Sequence, residues 1–400
     1  MRILFLAFDF PYPPDSGGRI KTFSILDYLR DSGHQVSVVC FRRRPLSAEQ
    51  GRWAEGRGAI ESVPLERGRS IGNLLRSYAN RVPLSIERNR SEKMKELVRR
   101  RTQAGAFDRL FVDGWMMAQY VPEGFRGRTI LHEHNAEYVL WRRQAQLERN
   151  PLRRALVQLE YRRVRRCAAR ILRRFDTIFA VSEDDAGALE AIGAERSRLR
   201  VLPNLPDQHL LGRPALSFAE SGPAILYFGT LSWQPNIEGL ERLMREVLPA
   251  IRRSLPEAKL LLAGQGAPPS LQRLARTTPG VEFLGQVDDS ETLYRRARVF
   301  VEATRSGGGT KLKVLNSLAR GLPIAASPEA VAGLDVTPGE HLLVASDSVS
   351  LAASVVSLLT DEALWGRLSE NGRALIRSRY TPETAFGVLA DVLSGDRAPA

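Results

Sequence analysis

Residues 299–326, VFVEATRSGGGTKLKVLNSLARGLPIAA, constrain the fold of this chain more than any other stretch. The first three are apolar and predict the end of a buried strand. A loop from Arg305 to Gly309 follows, and its three consecutive glycines tolerate positive φ and let another group approach the backbone closely. Leucines then recur at helical spacing, with Thr310 predicted as N-cap and Gly321 as C-cap. The predicted order is strand, glycine loop, helix and a second strand.

Lys311 and Lys313 lie in the first turn of this predicted helix. The free N–H groups and the macrodipole already make a positive field there, which disfavours each cation by about 0.3–1 kcal/mol. Two lysines behind a triple-glycine loop therefore predict a phosphate-binding site at a helix N-terminus. The alternative is a flexible turn with two solvated lysines. The loop is not a P-loop, because the G-x-x-x-x-G-K-[ST] spacing is missing.

Length and charge limit the class of protein. Four hundred residues are more than one hydrophobic core usually holds, so two domains are expected. Asp9 interrupts the apolar N-terminal run too early for a signal peptide or membrane span, and Cys40 and Cys167 are too few for a disulfide framework. These features predict a cytoplasmic protein.

A net charge of +13 favours an anionic partner, either nucleic acid, an anionic membrane surface or a phosphorylated ligand, although an arginine-rich genome also accounts for it.

Strands alternate with helices twice along the chain, with a proline-rich joint between the two series. The pattern predicts an α/β fold of two doubly wound parallel-sheet, Rossmann-like domains that face a cleft. Residues 46–101 read as mostly helical, and 382–393 as a last helix. The predicted divisions are an N-terminal domain, a linker, a C-terminal domain, and a terminal helix and tail that pack back on the N-terminal domain: 1–205, 206–222, 223–378 and 379–400.

Two further loops follow predicted strands. Gly17 and Gly18 come after the first strand, at the sheet edge where open α/β sheets bind ligands, but without the dinucleotide fingerprint. The sequence HEHNAEY, residues 132–138, follows another strand. His132 and His134 could form a metal site, although spacing places no third ligand. Alternatively one histidine is catalytic, or Asn135 caps a helix and the histidines merely pack.

Several segments together resemble retaining nucleotide-sugar glycosyltransferases of the GT-B fold, in particular the bacterial group-1 family whose signature reads G-G-G-T-[RK]-L-K. The main matches are FPYPPDSGGRIK, HEHNAEYVLWRR and GGGTKLKVLNSLARGLPIAAS; YFGTLSWQPN, LLAGQGAPP, VEFLGQVDD and PGEHLLVA support them. They occur in the family's order and cover nearly the whole chain.

The resemblance implies transfer of a sugar from a nucleotide diphosphate sugar to an acceptor hydroxyl, with retention of anomeric configuration and with no metal or other cofactor. His134 matches the active-site histidine beside the donor sugar and, with Lys311 and Lys313, would be catalytic. The implied donor-binding residues are Gly17, Gly18, Gly229, Arg305, Gly308, Gly309, Thr310 and Asn316. Asn316 replaces the family's usual glutamate, which accepts hydrogen bonds from the ribose hydroxyls; its amide oxygen can accept one without charge.

The acceptor implied is a polysaccharide, a lipid-linked sugar or a natural product, and polysaccharide biosynthesis is the expected setting. The charge run of the arginine-rich helical region 141–174 is typical of a solvated face, and the alternative is peripheral contact with an anionic membrane at its inner face. Nucleic acid is not an expected partner, because basic and aromatic residues do not interleave. The alternatives are a GT-B-fold sugar-nucleotide epimerase or hydrolase, and a catalytically weakened relative that binds polyanions.

Overall fold

The computed structural model describes residues 1–14, 16–65, 71–105, 107–287, 289–306 and 309–395. The chain divides into two compact units. Unit 1 consists of Met1–Pro203 with the described part of Phe386–Ala400, and unit 2 is Asn204–Ala385. Each unit holds its own hydrophobic core and its own sheet.

Unit 1 is built on a seven-stranded parallel sheet of order β3-β2-β1-β4-β5-β6-β7. Residues 3–7 of β1 are fully buried, as expected of a central strand covered by helices on both faces. The strand order reverses between β1 and β4, and ligands of such sheets bind beyond the carboxyl ends of the strands at this switch point. The strands are β1 (Arg2–Ala7), β2 (Gln35–Arg42), β3 (Ile60–Pro64), β4 (Arg109–Asp113), β5 (Arg128–His132), β6 (Thr177–Ala180) and β7 (Leu199–Val201).

Helices connect these strands, and short polar side chains cap several of them. Ser182, for example, accepts a hydrogen bond from the backbone N–H of Asp185 and caps its helix. The helices are α1 (Gly17–Asp31), α2 (Ala48–Glu55), α3 (Ile71–Ala79), α4 (Leu84–Arg88), α5 (Glu92–Ala104), α6 (Glu137–Leu147), α7 (Pro151–Leu172) and α8 (Glu183–Glu190), with 3₁₀ turns at Trp115–Tyr120 and Arg196–Arg198.

Unit 2 repeats the plan with a six-stranded parallel sheet of order β10-β9-β8-β11-β12-β13, whose switch point lies between β8 and β11. Its strands are β8 (Ala224–Phe228), β9 (Lys259–Ala263), β10 (Val281–Gly285), β11 (Val299–Glu302), β12 (Ile324–Ala326) and β13 (Leu343–Val344). Its helices are α9 (Gln208–Leu211), α10 (Gln234–Arg242), α11 (Leu248–Ser254), α12 (Pro269–Thr277), α13 (Ser290–Arg296), α14 (Leu312–Arg320), α15 (Pro328–Val331), α16 (Ser348–Thr360), α17 (Glu362–Arg379) and α18 (Pro382–Ala385), with a π-helical turn at Leu243–Val247. A final helix of unit 1, α19 (Gly387–Ser394), completes the chain.

The predicted fold class, two doubly wound parallel-sheet domains, is confirmed, and three local expectations are wrong. Residues 46–101 are mostly helical, as predicted, but they also contain the strand β3, which the sequence hides because Val63 is the one buried residue of this edge strand. The predicted last helix is two helices, α18 and α19, interrupted at Phe386, whose buried ring packs against Tyr28.

The other two errors concern helix caps. The helix after the glycine loop begins at Leu312, with Lys311 at the N-cap, because the Thr310 side chain is hydrogen-bonded to the Asn204 amide instead. Asn135 does not cap α6: the residue at the N-cap is Ala136. The predicted C-cap at Gly321 is confirmed, with φ of +77° in the left-handed region.

The loops after β8 and β9 pack backbone against backbone. A Cβ atom built on Gly264, which has φ of +145°, would lie 1.8 Å from the carbonyl oxygen of Gly229. Only glycine fits at this position, and the close contact fixes the Gly229 backbone at the carboxyl edge of the second sheet.

Among the described residues, no single helix is long and apolar enough to cross a bilayer. The pair α16 and α17 has the length and composition of a span only when both are taken together, and the two helices are bent by 98°.

Candidate active site

Both predicted glycine loops lie at switch points. Gly17 is the first residue of α1, directly beyond the loop that leaves β1, and the carboxyl end of the neighbouring strand β4 is Asp113. In unit 2, Gly229 follows β8, and the glycine loop follows β11. The fold therefore places each set of predicted residues where open α/β sheets bind ligands.

A cavity of about 250 Å³ opens at the switch point of unit 1. Gly18, Thr22, Asp113, Glu133 and His134 are among its lining residues. A Cβ atom on Gly18 would meet nothing within 4 Å, so the backbone of α1 borders open space there. Gly18 therefore leaves room for a ligand to approach the first turn of the helix.

Asp113 joins two histidines inside this cavity. The register of β4 and β5 sets Asp113 opposite His132, and its Oδ1 lies 2.7 Å from His132 Nδ1 and 2.9 Å from His134 Nε2. The Thr22 hydroxyl donates to the other carboxylate oxygen. The His132 side chain is fully buried, whereas that of His134 is 30% exposed. His134 is thus the imidazole of the pair that a ligand can contact.

The protonation states follow from this geometry. Burial alone would raise the pKa of Asp113, but His134 and His132 outweigh it and hold that pKa well below its usual range. Burial lowers the pKa of His132 to about 4, with the hydrogen bond to Asp113 opposing the shift. An ionised carboxylate only accepts hydrogen bonds, so His132 carries its proton on Nδ1 and His134 carries one on Nε2. Asp113 therefore fixes the ring orientation of His134 and the position of one of its protons.

Two other ionisable side chains lie near this group. Glu133 lines the cavity, and burial raises its pKa well above the usual range. Lys21 is buried, donates to the carbonyl oxygens of Leu202, at 3.1 Å, and of Pro203, and has its pKa lowered to about 7 by burial, with Asp113 opposing.

Asp113, His132 and His134 are also the group in the described residues that could hold a metal ion, since their ligand atoms all lie within 4.8 Å of one another. The sequence offered only the two histidines; the fold adds a carboxylate as the third donor. In the observed geometry Nδ1 of one ring and Nε2 of the other both point at the same carboxylate oxygen. A cation there would have to displace the two imidazole protons, so the arrangement fits a hydrogen-bonded group better than a metal centre.

In unit 2, Lys313 lies in a buried polar cluster. Its Nζ donates to the Tyr227 hydroxyl at 2.6 Å and to Asn236 Oδ1 at 2.9 Å, and it forms an ion pair with Glu302. Glu302 is completely buried, and the Lys313 side chain is 12% exposed. Burial lowers the pKa of Lys313, and Glu302 opposes the shift. The positive charge of Lys313 is thus balanced within the protein.

Lys311 has different surroundings. Its residue is only 5% exposed, and its ammonium lies 4.9 Å from the centroid of the Trp233 ring, a cation–π contact. The alternative of a turn with two solvated lysines is therefore wrong. Lys311 is the N-cap residue of α14, so its charge lies at the positive N-terminus of that helix, at this edge of the sheet.

The remaining predicted donor-binding residues surround these lysines. Gly229 lies above Lys313, whose Cδ would be 3.6 Å from a Cβ built on that glycine, and Gly309 has φ of +68°. Arg305 is exposed. Asn316 Oδ1 accepts a hydrogen bond from the backbone N–H of Asp207 at 2.9 Å. Gly308 lies outside the described residues, and the donor-binding roles of the whole set stay predictions.

Sequence reasoning missed two residues that organise these sites, Asp113 and Glu302. Each is an acidic residue at the carboxyl end of an apolar strand next to a switch point. This pattern indicates both residues in the sequence, because a charged side chain at the end of a buried strand needs an opposite charge or a hydrogen-bond partner. The partners themselves depend on strand register and on a helix distant in sequence.

Two family models match the chain. One described as "Glycosyl transferase 4-like domain" matches residues 16–205, and one described as "Glycosyl transferases group 1" matches residues 222–361. The two parallel α/β units and their switch-point sites have the architecture of a GT-B glycosyltransferase. The chain belongs to the group 1 glycosyltransferases.

Individual relatives agree with this assignment. An uncharacterized 44.6 kDa protein in the cps region of Klebsiella pneumoniae is 20% identical over 96% of this chain and 98% of that protein. A phosphatidyl-myo-inositol mannosyltransferase of Mycobacterium leprae is 28% identical over 48% of this chain and 51% of that protein. The structure of HepE from Anabaena in complex with UDP and glucose matches 99% of this chain and 100% of that chain, with a TM-score of 0.67 and 16% identity.

Proposed function

We propose that the protein is a cytoplasmic, metal-independent retaining glycosyltransferase that moves a hexose from a nucleotide diphosphate sugar to an acceptor hydroxyl. The observation that carries the proposal is the buried Lys311 at the N-terminus of α14, beside the switch point of unit 2. A cation, a helix N-terminus and a glycine loop in one place suit a diphosphate. The HepE neighbour, which binds UDP and glucose, supports a nucleotide sugar as the donor.

The chemical roles follow from charge. As the bond between the sugar and the diphosphate breaks, negative charge builds on the departing phosphate, and Lys311 with the N–H groups of α14 stabilises it. We assign His134 to the donor sugar, held in orientation by Asp113. In a retaining transfer the departing phosphate oxygen takes the proton of the acceptor hydroxyl. None of these steps requires a metal ion.

The acceptor is proposed to be a polysaccharide or a lipid-linked sugar, with a natural product as the alternative, and the setting to be polysaccharide biosynthesis. The mannosyltransferase relative, named for an acceptor that is itself a lipid, supports the lipid-linked class. We assign Asn316 to the ribose hydroxyls, where a neutral amide would contact them less strongly than a carboxylate.

Thermal unfolding with UDP, GDP, dTDP and ADP tests the donor assignment. One nucleotide should raise the melting temperature, because a ligand at 100 times its Kd stabilises the folded state by about 2.7 kcal/mol. Lys311→Ala should weaken that nucleotide about 10- to 100-fold, the range expected for a lost hydrogen bond to a charged group. Lys259→Ala, at an exposed lysine of the same unit, is the matched control and should change nothing.

Product analysis tests the reaction. Incubation with the donor and candidate acceptors should give a glycoside with the anomeric configuration of the donor, at a rate unchanged by EDTA. Free sugar or an epimerised nucleotide sugar, formed equally without acceptor, would instead identify a hydrolase or an epimerase. Failure of every nucleotide to stabilise the protein would refute the diphosphate site.

A further inference from the structure

A projecting helical hairpin in unit 1 lies outside the site described above. Residues 148–150 join α6 to α7, and Asn150 fixes the start of α7 by accepting hydrogen bonds from the backbone N–H groups of Leu152 and Arg153 at 3.0 and 3.1 Å. Every residue from 151 to 156 is exposed. The beginning of α7 is therefore an ordered helix that packs against α6 but leaves part of every residue open to solvent.

Exposed leucines follow one face of this helix. Leu152, Leu156 and Leu159, which we name the leucine row, are spaced at i, i+4 and i+7, so they share a face. Leu152 is 78% exposed, and Leu147 at the end of α6 is 62% exposed. Single exposed leucines are common on protein surfaces, but an aligned set on a projecting helix indicates an interaction surface.

Helix α3 continues this apolar surface. Arg163, four residues beyond Leu159 on α7, donates to the backbone oxygen and hydroxyl of Ser77 at 2.7 and 2.6 Å. Its guanidinium also lies 4.2 Å from the centroid of the Tyr78 ring. Tyr78 shares an exposed face of α3 with Leu74 and Leu75. The leucine row on α7 thus leads to a second exposed apolar face on α3.

Arginines surround the tip of the hairpin. Residues 142–154 contain five arginines and one glutamate. Four of these arginines are exposed: Arg142, Arg149, Arg153 and Arg154. An apolar face bordered by arginines matches the interface of an anionic bilayer, where leucines enter the acyl boundary and arginines bind headgroups. A second copy of the chain fits less well, because it would bring the same arginines against each other.

We propose that the leucine row, Leu147 and the exposed face of α3 dock on a bilayer that contains anionic lipids. The hairpin points to the side of unit 1 that bears the cavity. At 1.5 Å per residue α7 is about 33 Å long, whereas a five-residue strand spans about 17 Å. Because α7 ends just before β6 at the amino edge of the sheet, its start extends beyond the carboxyl edge, where α6 begins beside the cavity at Glu137.

The docking surface would therefore hold the cavity of unit 1 close to the membrane. A lipid-linked acceptor could then reach the site without leaving the bilayer; this last step rests on the proposed transferase, whereas the docking itself does not.

Co-sedimentation with vesicles tests the docking. The wild type should bind phosphatidylcholine vesicles that contain phosphatidylglycerol, lose affinity as salt rises, and bind pure phosphatidylcholine weakly. Leu152→Ser/Leu156→Ser should weaken binding at least about tenfold, since less apolar area enters the bilayer. Arg153→Gln/Arg154→Gln should weaken it by about 25-fold, at about fivefold for each arginine near an anionic surface.

Matched controls come from unit 2. Val349→Ser removes an apolar side chain that is 75% exposed, and Arg273→Gln/Arg276→Gln removes two exposed arginines of α12. Both should bind like the wild type, and every variant should keep the wild-type melting temperature and its rise with nucleotide. Loss of that rise in all proteins would refute the donor site and leave the docking result intact.

Two outcomes would overturn the proposal. One is binding to anionic vesicles that is absent in the wild type or unchanged in the hairpin variants. The other is a wild-type dimer in sedimentation velocity that Leu152→Ser/Leu156→Ser converts to monomers, which would make this surface an interface between copies.

Discussion

Replacement of Lys313 by methionine should destabilise unit 2 even without a ligand. The ammonium of Lys313 is the ion-pair partner of Glu302, which is completely buried. Removing one partner of a buried pair leaves an uncompensated charge and costs about 3–5 kcal/mol. For a unit of this size, 1 kcal/mol lowers the melting temperature by about 2–4 °C, so a fall of roughly 10 °C is expected.

A double-mutant cycle separates the pair from its surroundings. Glu302→Gln should also destabilise unit 2, because the ammonium of Lys313 then lacks its counterion. The combined variant, Glu302→Gln/Lys313→Met, should lose less than the sum of the two single losses, with a coupling of about 1–3 kcal/mol. Differential scanning calorimetry measures all three variants, with Lys259→Met as the control for loss of an exposed lysine.

The result decides between two roles of Lys313. If Lys313→Met melts within about 2 °C of the wild type while nucleotide affinity falls, the lysine is devoted to the ligand and the reasoning from the buried pair is refuted. If stability falls as expected, Lys313 has a structural role beneath Gly229. Lys311 is then the lysine that we propose to bind the diphosphate.

Three further variants probe unit 1. Asp113→Asn should lower kcat by about 10²–10⁴ with donor affinity retained, because the neutral amide lacks the charge that orients His134 and only one of its two polar atoms can accept a hydrogen bond; kcat within threefold of the wild type would contradict this. Gly18→Ala should raise stability by about 0.5–1 kcal/mol in denaturant unfolding, as expected of alanine in a helix, yet impair catalysis because the methyl group enters the cavity; unchanged kcat/KM would show that no ligand comes close. Burial lowers the pKa of Lys21 to about 7 in the folded state, whereas the unperturbed pKa is 10.5. Between these two values the unfolded state binds more protons, so the free energy of unfolding rises with pH, by at most about 1.4 kcal/mol per pH unit. Lys21→Met should remove that rise in denaturation midpoints from pH 7 to 10, and an identical slope in both proteins would argue against a buried, charge-destabilised lysine.

The sequence predicted those elements of the fold whose signal lies in neighbouring residues, and it failed where contacts distant in sequence decide the structure. The strands β8, β9 and β12 can be recognised in the sequence because each is an apolar run bordered by glycine, a polar residue or proline. β3 was missed because an edge strand with one buried residue lacks the apolar signal of a central strand. The predicted cap at Thr310 was wrong because the side chain of Thr310 accepts a hydrogen bond from Asn204, more than one hundred residues earlier in the chain.

The sites were predictable to the same extent. Glycine loops and lysines can be located in the sequence, and they lie at the switch points as expected. The roles of Asp113 and Glu302 depend on tertiary packing. The contact of Asp113 with His132 requires the register of β4 and β5, and the ion pair of Glu302 with Lys313 requires α14 to pack next to the end of β11. Tertiary pairing of this kind also explains why the sequence did not reveal the ion pair between Lys313 and Glu302, while the predicted phosphate role of Lys313 stays a prediction.

The contact between Gly264 and Gly229 sets a limit on redesign of the proposed donor site. A methyl group at residue 264 would collide with the neighbouring peptide, so even alanine would push apart two loops and shift the surface beneath which Lys313 lies. Libraries that aim to alter sugar or base preference would gain nothing from randomising Gly264. Diversity belongs instead at side chains such as Trp233, which covers Lys311 while remaining 41% exposed, and can change without moving the backbone.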